Sequence, residues 1–97
     1  MKMQFVWDKH KAAANLRKHG VSFHEAVEIF TDPRSVTYAD EFHSSTEDRF
    51  ITLGTSRKVR VLLVVHTEVD RVDSDVIIRV ISARKATRSE RDNYEEG

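Results

Sequence analysis

Residues Val59 to Thr67 form the longest nearly unbroken run of β-branched and aliphatic side chains in the sequence, Val-Arg-Val-Leu-Leu-Val-Val-His-Thr. The run is far too short to span a bilayer and reads as a central strand buried on both faces. Arg60 and His66 interrupt it. They lie six residues apart, so a regular strand points both to one face. What that face serves is the question the rest of the chain must answer.

The 97 residues are enough for one domain with one core, residues 1–97. No apolar stretch is long enough for a transmembrane helix. The opening Met-Lys-Met-Gln-Phe-Val-Trp-Asp reaches an acid too early for a secretory signal. Cysteine is absent, which excludes disulfides and thiolate zinc sites and suits a cytoplasmic protein with no membrane attachment.

The formal net charge is zero, but the charges are segregated. Lys2, Lys9, Lys11, Arg17 and Lys18 face only Asp8 within residues 1–24, and residues 25–48 are more strongly acidic, with seven acids against Arg34. Residues 49–67 carry Arg49, Arg57, Lys58 and Arg60 with no acid. A basic face for a polyanion and a solvated surface of mixed sign are both compatible with this pattern.

Lys2 to Trp7 alternates as a short strand, with Trp7 expected in the core. Asp8 is a good N-cap for a helix over Lys9 to His19. Ala12, Leu16 and His19 share one of its faces, and Gly20 ends it. Ser22 and Glu25 have capping-box spacing, and Phe23, Ala26, Val27 and Phe30 form the apolar stripe of a second helix that stops at Asp32-Pro33. Strands are expected over 35–39, 49–54, 59–67 and 76–83, with polar loops over 40–46 and 68–75. Thr87 and Glu90 open a short terminal helix through a second capping box. The order β-α-α-β-β-β-β-α describes an α+β fold in which an N-terminal strand and a helix hairpin pack on an antiparallel meander.

A symmetric turn at 55–58 pairs Leu53 with Arg60, Ile51 with Leu62, Arg49 with Val64 and Glu47 with His66. The same logic across 68–75 pairs His66 with Ile77 and Val64 with Arg79. One face then carries Phe50, Val61, Leu63, Val65, Ile78 and Val80 and lies under the helices. The other gathers Glu47, Arg49, Arg60, His66 and Arg79 among aliphatic residues. A single β-bulge breaks this derivation.

A carboxylate, an imidazole and two guanidiniums suit cleavage of RNA by its own 2′-hydroxyl. Histidine serves as acid or base near neutral pH, and arginines hold the charge of a phosphorane. That chemistry needs no metal or cofactor, and the five histidines show no metal-ligand spacing. A cross-strand network on a solvated sheet face fits the same residues. Lys11, Asn15 and Lys18 form one stripe of the first helix, either a rail for RNA phosphates or lysines lying beside the apolar face with Asn15 tying down a loop. Arg84 ends the last strand before a helix N-terminus, where it either meets phosphate or is solvated.

Trp7-Asp8, Lys11, Asn15, Lys18-His19-Gly20-Val21, Phe23, Glu25-Ala26, Phe30 and Asp32 resemble the N-terminal signature of the BrnT toxins. Glu47-x-Arg49, Gly54, Val64-Val65, Thr67, Arg79-Val80-Ile81-Ser82-Ala83-Arg84, Ala86, Glu90 and Tyr94 continue the likeness. The resemblance implies a RelE-like fold and a ribonuclease toxin of a type II toxin–antitoxin system that arrests translation and growth. It also implies a BrnA-like antitoxin whose ribbon-helix-helix part binds operator DNA. It carries over Lys11, Glu47, Arg49, Arg79 and Arg84 as functional residues. The expected site is therefore Glu47, Arg49, His66, Arg79 and Arg84 for catalysis, with Lys11, Lys18 and Arg60 on RNA. A non-catalytic interaction module, or a protein that itself binds nucleic acid, is the alternative.

Overall fold

Asp8 caps the first helix as its sequence dictates. Its Oδ1 accepts the backbone N–H groups of His10 at 2.7 Å and Lys11 at 3.1 Å. The structure is a computed structural model that describes residues 2–43, 47–70 and 75–96. Strand β1 (Met3–Val6) leads into helix α1 (Lys9–His19). Gly20 ends α1 at φ 68°, a left-handed conformation open to glycine at little steric cost. Helix α2 (Phe23–Ala26) follows and tightens into a 3₁₀ segment, Val27–Thr31, before Asp32 turns the chain. Strands β2 (Val36–Ala39), β3 (Phe50–Thr55), β4 (Val61–Asp70) and β5 (Val76–Lys85) and helix α3 (Arg88–Glu96) complete the expected element order. The polar loops expected over 40–46 and 68–75 fall in part outside the described residues. Of their described parts, Glu41–His43 is a 3₁₀ turn and 68–70 extend β4.

The strands form one sheet in the order β1-β5-β4-β3-β2. β2 to β5 are the antiparallel meander, whereas β1 runs parallel to β5, from Met3 opposite Val76 to Val6 opposite Arg79. α1, α2 and the 3₁₀ segment cover one face. Val21, Phe23, Ala26 and Ile29 pack there against Leu62, Val64, Val80 and Ala83, with partly buried Trp7 beside them. α3 covers part of the opposite face, where Tyr94 meets Leu53 and Leu63. Gly54 permits the close approach on the first face: a Cβ there would lie 2.8 Å from the Ile29 Cβ.

Two expectations about the helices are corrected. α1 turns Asn15 to the sheet and leaves Leu16 about half exposed, because Asn15 satisfies backbone groups that a leucine cannot. Ser22 accepts the Glu25 N–H at 3.0 Å, but the Glu25 carboxylate reaches Ser56 and Arg60 instead of closing the capping box.

The expected β4 register is also overturned. Thr55 pairs with Val61, Leu53 with Leu63, Thr52 with Val64 and Phe50 with His66. The connection holds five residues, not four. Ser56 N donates to Arg60 O and Val59 N to Ser56 O, both at 2.9 Å, and Val59 sits at φ 62° with 82% of its surface exposed. Left-handed backbone is costly for a β-branched residue, so nothing local to Val59 announces this turn. The pairing slips by three, an odd number, and an odd slip exchanges the faces of a strand. Leu62, Val64 and His66 therefore face the helices, while Leu63 and Val65 face outward. The β4–β5 pairing slips by three as well, with His66 opposite Val80 and Thr67 opposite Arg79. The two odd slips cancel between β3 and β5, so Arg49 and Arg79 share the outer face as expected.

Candidate active site

Along β5 the register shifts by one between the pairs His66–Val80 and Val65–Ser82, leaving Ile81 as an extra residue. Arg79 and Arg84 are five apart and would point to opposite faces of a regular strand. The bulge reverses that parity. Arg84, opposite Leu63, joins Arg79, opposite Thr67, on the outer face.

A cleft of about 360 Å³ opens on this face. Its floor is the register row Ile51, Val65 and Ser82, with Leu63 beside it, and its rim carries Tyr38, Asp40, Arg49, Arg84 and Glu90. Arg84 is fixed by a bidentate pair: its Nη1 and Nη2 donate to the two Glu90 oxygens at 2.8 and 2.9 Å. Glu90 is anchored in turn by the second capping box, accepting the Thr87 N–H at 2.8 Å while Thr87 Oγ1 accepts the Glu90 N–H at 3.2 Å. The Arg84 guanidinium and the Thr87 hydrogen bonds hold the Glu90 carboxyl down at about 2, so it is ionised at any ordinary pH. Arg79 stands one row beyond the floor and forms an exposed ion pair with Glu47. The Tyr38 phenol is pushed above its usual range by desolvation and by the nearby Glu90 charge, and stays protonated at neutral pH.

Two expected site residues lie elsewhere. His66 is fully buried on the helix side of the sheet and does not meet Glu47. Its Nε2 lies 2.7 Å from Thr52 Oγ1, its ring stacks on Phe50 and meets Phe30 edge-on, and its Nδ1 has no hydrogen-bond partner among the described residues. Desolvation lowers its pKa to about 4, so the ring is neutral. Arg60 sits in the β3–β4 turn and is committed to structure: its Nε donates to Glu25 Oε2 at 2.9 Å, one Nη reaches Glu25 Oε1, and that nitrogen also donates to Gly20 O at 3.2 Å.

Lys11 and Lys18 flank a shallower hollow with Asn15 and His19, walled on the sheet side by Ile81 and Ser82. Those two residues also border the main cleft, so the basic stripe of α1 adjoins it around the bulged edge of β5. Sequence reasoning missed Tyr38, Asp40 and Ser82, which become neighbours only through strand register. Glu90 was legible as a capping residue but not as the partner of Arg84. Among the described residues no three His, Asp or Glu side chains converge as metal ligands do, and no helix is long and apolar enough to cross a membrane.

The family model described as the ribonuclease toxin, BrnT, of type II toxin–antitoxin systems matches residues 7–90. The chain belongs to the BrnT family. The resemblance carried by Trp7-Asp8, the Lys18-His19-Gly20-Val21 segment and the Arg79–Arg84 segment is borne out. Membership in a type II family brings with it an antitoxin partner and RNA as substrate. In fold, the chain is similar to the crystal structure of the ribonuclease toxin BrnT of Brucella abortus, with a TM-score of 0.62 and 22% identity over 90% of this chain and 100% of that one. A search of curated proteins finds no match.

Proposed function

We propose that this BrnT-family chain is an endoribonuclease that cleaves RNA without a metal ion at the outer-face cleft. One observation carries the reading: the Ile81 bulge sets Arg84 on the same open face as Arg49 and Arg79, with Arg49 and Arg84 at an uncharged floor and Arg79 one row beyond it. A 2′-hydroxyl attacks the adjacent phosphorus, its proton leaves to a base, the 5′-oxygen departs with a proton, and a 2′,3′-cyclic phosphate remains. Negative charge builds on the phosphorane oxygens, and guanidiniums are suited to neutralise it bidentately. Arg84 arrives with its guanidinium already oriented by Glu90 through both Nη groups, leaving its other N–H groups for phosphate. With His66 buried on the far face, Glu47 is the expected carboxylate for proton transfer, held at the site by Arg79. Lys11 and Lys18 extend the basic track for RNA phosphates along α1. The helix pair on one face and the C-terminal helix on the other support kinship in fold with RelE-type ribonucleases.

In this reading RNA cleavage arrests translation and growth in the cytoplasm. A cognate antitoxin of the ribbon-helix-helix kind covers the cleft, and the complex, a heterotetramer, represses its own operon. The test is cleavage of RNA by the purified chain in excess EDTA, with mapped ends. Cleavage leaving 2′,3′-cyclic phosphates is expected, reduced by about 10²-fold or more in Arg84→Ala and Arg79→Ala. Intact RNA with the folded wild-type chain would overturn the enzyme reading, and cleavage only after magnesium is restored would overturn metal independence.

A further inference from the structure

Tyr38 is an exposed aromatic residue that neither the fold nor the proposed chemistry uses. It lies opposite Ile51 in the β2–β3 register, Ile51 lies opposite Val65, and Val65 opposite Ser82. These four residues form one uncharged row across four strands on the outer face, and all four line the cleft. An aromatic ring stands at one end, two aliphatic side chains form the middle, and a hydroxyl closes the other end. Arg49 borders the row on one side and Arg84 on the other. Tyr38 keeps 46% of its surface exposed, so burial in the core is not what holds it there.

With Asp40 and the Arg84-paired Glu90 also on its rim, a cleft that sets a flat uncharged strip between two guanidiniums matches a nucleotide, whose charge and whose planar base are separate. Every base has a π-face, and stacking on an exposed tyrosine needs no hydrogen-bond code. We infer that Tyr38 is a stacking platform for a nucleobase of the bound RNA, seated over Ile51 and Val65 while Arg49 and Arg84 take the flanking phosphates. The inference rests on the reading of the cleft as an RNA site. The phenol acts through its ring face. Its raised pKa suits a protonated hydroxyl that takes no part in base catalysis.

The test measures binding, so it does not depend on cleavage. Affinities for a cleavage-resistant 2′-O-methyl RNA oligonucleotide are compared with those for the same oligonucleotide carrying abasic sites. Wild type, Tyr38→Ala and Tyr38→Phe are used, with thermal melting as the check on folding. Tyr38→Ala is expected to bind the intact oligonucleotide roughly tenfold more weakly, and Tyr38→Phe to bind within about twofold of wild type. Abasic substitution is expected to weaken wild type by a similar factor and to leave Tyr38→Ala unchanged, because each change removes one half of the same stack. Equal losses for Tyr38→Phe and Tyr38→Ala would assign the role to the hydroxyl and overturn stacking. So would an abasic penalty as large in Tyr38→Ala as in wild type. Wild type that binds with these signatures but leaves cleavable RNA intact would keep the stacking site and remove the enzyme reading. Wild type that cleaves RNA while Tyr38→Ala binds unimpaired would do the reverse.

Discussion

Asn15 of α1 closes both backbone groups of Ala83 on β5. Its Nδ2 donates to the Ala83 carbonyl at 2.8 Å, and its Oδ1 accepts the Ala83 N–H at 3.1 Å. The β1 pairing ends at Arg79, so this half of β5 would otherwise be a bare edge, and one side chain does the work of a missing strand. The same Nδ2 also donates to Val21 O at 2.9 Å, tying down the turn between the helices. Asn15→Leu keeps the forked shape in a somewhat larger side chain but strands three buried polar groups. It should destabilise the protein by about 2–4 kcal/mol and lower the melting temperature by roughly 10 °C or more. Urea unfolding checks this, and a change below about 0.5 kcal/mol would mean that the edge finds other partners.

Arg60 belongs to the same scaffold. Its guanidinium is the main cause that keeps the buried Glu25 carboxyl below its usual range. Arg60→Ala leaves that carboxylate without its charge partner and should cost about 3 kcal/mol. Because the side chain faces Glu25 and Gly20 rather than the cleft, the fraction of this variant that remains folded should bind RNA as wild type does. A stable variant with lost RNA affinity would restore Arg60 as an RNA contact.

His66 gives the molecule an acid sensitivity of its own. Its folded pKa is about 4 against 6.5 in the unfolded chain, so the unfolded state takes up the proton first as pH falls. Stability is full above pH 6.5, and it declines through the window down to about 4, by about 2 kcal/mol at pH 5. His66→Gln should flatten this slope in melting temperature measured from pH 7 to pH 4.5. An unchanged slope in that variant would assign the loss to another group.

The Arg84–Glu90 pair behaves differently with pH. Glu90 has a folded pKa of about 2 against an ordinary 4.5, so its stabilising contribution is present above pH 4.5 and is lost only as pH falls toward 2. Glu90→Gln keeps the length of the side chain but weakens the fork that orients Arg84. RNA cleavage should lose about tenfold in kcat with little change in KM. Thr87→Ala removes only the cap, costing about 1 kcal/mol of stability and leaving kcat intact. Equal effects of the two variants on kcat would reduce Glu90 to a helix cap.

Gly54 tests the packing beneath the site. A methyl at this position meets the Ile29 Cβ at 2.8 Å, the Ile29 carbonyl at 3.0 Å and the Ser35 Cβ at 3.3 Å. Backbone on one side and a buried side chain on the other leave little room to yield. Gly54→Ala should destabilise by about 1–3 kcal/mol, read by thermal or urea unfolding, although alanine is the better strand residue.

By itself the sequence determined the elements and the faces of two strands. Asp8 and Gly20 bound α1, Thr87 and Glu90 open α3, and Arg49 beside β3 and Arg79 of β5 share the outer face, because caps and alternation are written within a few residues of where they act. Tertiary structure alone decided the register of β4, the burial of His66, the parallel seat of β1 beside β5 and the gathering of Tyr38, Arg49 and Arg84 around one floor. Strand pairing follows the parity of a turn and of a bulge. Val59 in a left-handed conformation and the extra residue Ile81 each change that parity without a glycine or any other local mark. The outer-face cleft exists because an odd turn sends His66 inward and an odd bulge brings Arg84 out.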